Sequence, residues 1–143
     1  MDRDLLIKAA GDNELMRYLG VEIEEVSDER VVLKMEVTPK IHQYIGIMHG
    51  GVSLYLCETA ASLGAVANSD LTKTAPVGVE INANHLRAVS KGVLTVIATA
   101  IFAGRTMSVW SVEITNERGK LVCVSRCTML HQNRPAYPST AGS

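Results

Sequence analysis

The sequence predicts an α+β fold, a curved antiparallel β-sheet wrapped around one long central helix. Three observations predict it. Residues 51–67, "GVSLYLCETAASLGAVA", are the only long helical pattern in the middle of the chain, and they are apolar on nearly every side. A helix of that kind is covered on most faces. Before it, "VEIEEVSDERVVLKMEV" alternates apolar and polar residues about a Ser-Asp-Glu-Arg turn, the pattern of a β-hairpin. After it come long β-rich runs separated by turn signals and by no second long helix.

Taken in order, residues 2–18 read as one or two short helices. Leu5, Leu6, Ala9, Leu15 and Met16 form a stripe that Gly11 interrupts. The hairpin follows from Val21, and Pro39 ends it. Residues 40–49 make a loop into the helix. Strands are expected at 76–89, 93–104, 107–115 and 120–132, with Ser-Lys-Gly and "NERG" as turns. The tail from 133 to 143 is polar and expected to be loose. There is no internal repeat or linker, so residues 1–143 are expected to form a single domain. Edge strands of such a sheet need protection, which points to pairing between two copies. Trp110, Phe102 and the methionines are expected in the core.

Composition narrows the function classes. The 143 residues are 47% hydrophobic and 20% charged, with a formal net charge of -1. No basic run recruits nucleic acid, and no apolar stretch is long enough to span a bilayer. The N-terminus lacks the apolar core of a signal peptide, which makes the cytoplasm the expected location. The odd set Cys57, Cys123 and Cys127 reads as reduced thiols. No cysteine or histidine spacing makes a metal site.

The chemistry concentrates in "QYIGIMHGGVSLYLCETAAS", residues 43–62. Gly50 and Gly51 precede the helix, where the first N–H groups lack internal partners and carry partial positive charge. A ligand oxygen gaining negative charge suits that position; a glycine pair there also serves simply as a turn. Glu58 is the helix's one charge, with no Lys or Arg between positions 41 and 72 to pair with it. Desolvation in an apolar setting would raise its pKa towards that of a base or nucleophile. Ser62 lies one turn on, able to hold a water beside the carboxylate. Gln43 and His49 complete a set of parts for attack on an activated carbonyl.

Gln43, the His49-Gly50-Gly51 triplet six positions on, Glu58 and Ser62 together resemble the hotdog-fold acyl-CoA thioesterases. So do "GVEINANHLRAVSKG" (78–92) and "AGRTMSVWSVEITNERGKLVCVSRCTML" (103–130). The similarity is to the 4-hydroxybenzoyl-CoA and 1,4-dihydroxy-2-naphthoyl-CoA thioesterase branch, and it spans about residues 15–131. It implies that the Gly50 amide polarises the thioester carbonyl and that Gln43 positions the substrate. His49 would lie near the leaving group. Glu58, offered by a neighbouring subunit, would attack or activate water, and Ser62 would orient that water. His85, Arg87, Gly104, Arg105 and Thr106 match the region that holds CoA or the acyl ring in relatives, although relatives carry Ser-Arg where this chain has Arg105-Thr106. Lys91 and Arg87 could meet phosphates, and Tyr44 and Tyr55 could line the acyl pocket. The resemblance further implies an acyl-CoA substrate, no separate cofactor, and a homo-oligomer, a dimer of dimers. Two alternatives have the same fold: an acyl-thioester dehydratase or hydratase, and a non-catalytic acyl-CoA sensor. The short gap from His49 to Glu58 argues against the first, and the roughly 20 residues ahead of the sheet leave no room for a sensor's DNA-binding domain.

Overall fold

The computed structural model describes residues 3–133. Two short helices, α1 (Arg3–Gly11) and α2 (Glu14–Leu19), lead into β1 (Val21–Val26) and β2 (Arg30–Val37). A single 3-10 turn, Pro39–Ile41, then a loop, lead to α3 (Gly50–Ala67). The strands β3 (Thr74–His85), β4 (Gly92–Ala103), β5 (Met107–Thr115) and β6 (Leu121–Asn133) complete the described chain. Asn133 belongs to β6, and the rest of the tail expected to be loose lies outside the described residues.

The six strands form one antiparallel sheet in the order β1-β2-β4-β5-β6-β3. Helix α3 packs against all six, which is why the sheet curves around it. Leu56, Cys57, Ala60, Ala61 and Ala65 are fully buried on α3, facing Leu33, Leu94, Val96, Trp110, Val112, Ile114 and Met129 of the sheet. Truncating one such side chain, Leu56 to Ala, would cost about 2–5 kcal/mol through lost burial and the cavity left behind. The helix comes close to the sheet because Gly64 presents no Cβ: a methyl group there would overlap the Trp110 ring. No helix among the described residues is long and apolar enough to cross a membrane.

The expected hairpin, central helix and long strands are all present. Three details differ. The strand expected over 76–89 leaves the sheet at His85. Leu86 N–H and Arg87 N–H both turn to the Val122 carbonyl, and Val89 is drawn to the helix-entry loop, where its carbonyl accepts from Met48 N–H at 2.8 Å. Phe102 is not core but 54% exposed. A bulge between Ala100 and Phe102 shifts the alternation, so Phe102 points outward where an unbroken strand would have turned it in. Met107 is also exposed, whereas Trp110 is fully buried as expected. The three cysteines are buried and free. The Cys57 thiol is pushed up, first by its hydrogen bond with Cys123 and then by burial. Burial pushes Cys127 up to about 12. Cys57 and Cys127 are therefore protonated packing groups rather than reactive thiolates.

Candidate functional site

The helix entry is built by a pinned loop. His49 N–H donates to Ile41 O (2.9 Å) and Gln43 N–H to Ile47 O (2.8 Å). Gly46 turns the loop at φ 83°, a left-handed conformation that favours glycine. The Gln43 side chain accepts from Ile45 N–H at 2.7 Å.

His49 is the N-cap of α3: its Nδ1 accepts from Gly51 N–H at 2.8 Å. The two glycine amides are thereby told apart. Gly51, expected to face the ligand, has its donor occupied by His49. Gly50 N–H meets no acceptor among the described residues. The His85 ring lies directly over Gly50, where a Cβ would sit 2.9 Å from its Nε2. Gln43, Gly50, His85 and Arg87 line one cavity of about 340 Å³, with Met48, Ser53 and Val122 among its walls. This end of the molecule offers a hydrogen-bond donor at a positive helix terminus, beside an imidazole and a guanidinium.

Glu58 is elsewhere. It lies eight residues along α3 from Gly50, about 12 Å at 1.5 Å per residue, and it lines a second cavity of about 590 Å³. Tyr55, Thr59, Ser62 and Leu63 share its wall, Leu6, Ala10 and Met16 close the groove from α1 and α2, and Gly78 and Met129 form its sheet side. Ser62 thus falls beside Glu58 as expected. The burial expected of Glu58 is not met: its side chain is exposed, because the sheet ends at β3 and leaves that flank of α3 open. Tyr55 is half-buried beside it, and burial pushes its hydroxyl pKa up. Tyr44 stands fully out in solvent, 98% exposed.

Gly104, Arg105 and Thr106 form the β4–β5 turn beside the start of β3 and the end of α3. That is the far end of β3 from His85, roughly 36 Å away at 3.3 Å per residue. One chain therefore brings together Gln43, Gly50, His85 and Arg87, and separately Glu58 and Ser62. It holds the 104–106 turn apart from the Gly50 cavity. Arg87 and Lys91 also border a basic basin of about 560 Å³ with Arg118 and Lys120.

The sequence reading does not single out Gly78. It lies in the interior of β3, beside a bulge between Gly78 and Glu80, and a Cβ there would overlap the Glu58 carboxylate. A glycine inside a strand pattern is itself the signal of such a close approach. Thr59, whose hydroxyl hydrogen-bonds Tyr55 beside Glu58, carries no comparable signal.

The profile of the Thioesterase superfamily matches residues 45–123. A 1,4-dihydroxy-2-naphthoyl-CoA hydrolase of Listeria monocytogenes is 44% identical over 115 residues, covering 80% of this chain and 93% of that protein. Among solved structures, a mutant thioesterase of Pseudomonas aeruginosa superposes with a TM-score of 0.86 at 34% identity, covering 94% of this chain and 96% of its own. A protein of Staphylococcus aureus, solved with a Glu→Ala replacement, gives a TM-score of 0.83 at 37% identity, covering 85% of this chain and 100% of its own. The same protein was also solved with a Gln→Ala replacement, and the two replaced positions are as far apart in sequence as Gln43 and Glu58.

Proposed function

The chain belongs to the thioesterase superfamily and is a thioester hydrolase, and from that premise we propose that it hydrolyses an acyl-CoA at a site shared between two copies of itself. Water and R–CO–S–CoA give the free acid and CoA–SH. The Gly50 amide donates to the thioester oxygen as it gains charge. Glu58 of the other copy supplies the carboxylate, either attacking the carbonyl to form a mixed anhydride or taking a proton from water. Gln43 and His85 orient the substrate around the carbonyl, Ser62 holds the water, and no cofactor is needed beyond the CoA that the substrate brings.

The observation that carries the reading is the unpaired Gly50 donor and the exposed Glu58 on two faces that meet at one bare strand edge. Among the described residues strand β3 hydrogen-bonds only to β6, which leaves its other edge free to pair. An antiparallel pairing of β3 with its copy, about a two-fold at Asn82 and with the bulged Val79–Glu80 step opposite a single residue, would set His85 opposite Gly78 of the second copy. His85 lies on Gly50, and Gly78 lies on Glu58. Both pairs face the helix side, so the two halves of the site would converge. The same pairing would carry the second copy's 104–106 turn towards Arg87, because His131, which binds that turn, pairs with Pro76. The phosphates of CoA would then meet Arg87, Lys91 and Arg105. The apolar groove beside Glu58 suits an acyl group, and the Listeria relative's name makes an aryl-CoA the first to try.

The test is a kcat/KM panel across aryl- and alkyl-CoA thioesters with wild type, Glu58→Ala and Glu58→Gln. Both variants should lose two or more orders of magnitude in kcat, the scale of losing a nucleophile or base. Near-wild-type turnover in Glu58→Ala would overturn the assignment. Single turnover in labelled water separates the two routes: label entering the Glu58 carboxylate marks the anhydride.

A further inference from the structure

The β4–β5 turn is gripped by one residue that lies outside it. His131, near the end of β6, is only 8% exposed. Its backbone N–H donates to Thr106 O at 2.8 Å, and Gly104 N–H closes the turn on Met107 O at 2.9 Å. Its ring is held on both sides. Trp110 Nε1–H, which can only donate, reaches Ser108 Oγ at 3.0 Å. Ser108 Oγ in turn lies 2.9 Å from His131 Nε2. The Ser108 oxygen has two lone pairs, so it can accept from the indole whichever way the bond to Nε2 runs; in the neutral ring that carries its proton on Nδ1, the Ser108 hydroxyl donates and Nε2 accepts. The Arg105 backbone carbonyl is the group the ring meets at Nδ1. In that state every donor from Trp110 to Arg105 has an acceptor.

From this geometry we propose that His131 is a positioning residue, whose neutral ring clamps the Gly104–Thr106 turn in the shape that meets the nucleotide end of the substrate. The inference rests on the acyl-CoA reading above. Burial lowers the pKa of this imidazole, while the Arg105 carbonyl opposes the shift. The charged groups around it are Asp70 and Lys73 from the α3–β3 connection and Arg105 from the turn itself. Asp70 is engaged by Thr72 and Lys73, so it does not stand as a counter-ion to the ring. A proton on Nε2 would make it a donor to Ser108 Oγ, reverse that hydrogen bond and turn the hydroxyl proton away from the ring.

Two variants separate clamping from mere packing. An asparagine amide can replace Nδ1 towards Arg105, and a glutamine amide can replace Nε2 towards Ser108. His131→Gln should raise KM for acyl-CoA about fivefold, the scale of one lost hydrogen bond, with kcat within twofold. KM for the acyl-N-acetylcysteamine thioester, which has no nucleotide, should not change. His131→Asn should bring KM for acyl-CoA back towards wild type. An unchanged KM for acyl-CoA in His131→Gln, or an equal rise for both substrates, would overturn the proposal. Wild-type protein that turned over no acyl-CoA would instead overturn the functional reading, and this inference with it. Should His131→Gln fail to fold, the single tryptophan serves as the readout in wild type. Its emission should shift on acidification below about pH 6.5, the ordinary histidine range, and free CoA should push that shift to lower pH. No movement of the midpoint with CoA would overturn the proposal.

Discussion

The two edges of the sheet are treated in opposite ways. Strand β1 is six residues long, rich in glutamate, and tied by Glu24–Lys34 and Glu25–Arg30 ion pairs at 3.1 Å. Helices α1 and α2 pack against it. Strand β3, at the other edge, is twelve residues long and carries Glu80 as its one carboxylate. Val79 on it is 56% exposed, and among the described residues no helix lies along its free side. Short, charged, covered strands are how a protein keeps an edge from pairing. A long, weakly charged, bare one is what a partner strand needs. The difference teaches where the proposed second copy would belong, and Glu58 opens onto that same side.

Substitutions at each edge would break or sharpen this contrast. The largest effect is expected from Val77→Lys with Val79→Lys, which places repelling ammonium groups along the bare edge. The pair should convert the oligomer to monomer by light scattering and lower kcat/KM at least tenfold, while Glu22→Lys on β1 should change neither. A monomer with full activity would refute the shared site. Next, Gly78→Ala puts a methyl group where the Glu58 carboxylate lies. It should reduce kcat by about tenfold, a misplacement effect, while the thermal midpoint moves by only a few degrees. The smallest effect belongs to the guarded edge. Glu24→Ala removes an exposed ion pair, so a denaturant titration should register less than about 1 kcal/mol and no change in turnover.

How far the sequence could be read follows from which interactions are local. The hairpin and the helix were legible because period-two and helical patterns are local properties of their own residues. The Gln43, His49-Gly50-Gly51 and Glu58 spacing was legible for the same reason, since all lie on one loop and one helix. Phe102 was misread because a bulge is a backbone event that reverses the alternation after it. The burial of Glu58 was misread because a helix that is apolar all round does not say which flank the sheet leaves open. Strand β3 ends early through a long-range bond, Val89 to Met48. Gly78 under Glu58 and His131 behind the 104–106 turn are contacts between segments far apart in the chain, which no window of sequence contains.

The cap on α3 has one last consequence. By accepting from Gly51 N–H, the imidazole of His49 narrows the helix's electropositive tip to a single free amide with a fixed direction. In the proposed reaction, a thioester docking there would have one way to point its oxygen, so its orientation would be decided before any bond changes. In that role the free donor would be under-satisfied until the substrate arrived, which would make it selective for an oxygen whose charge is about to grow.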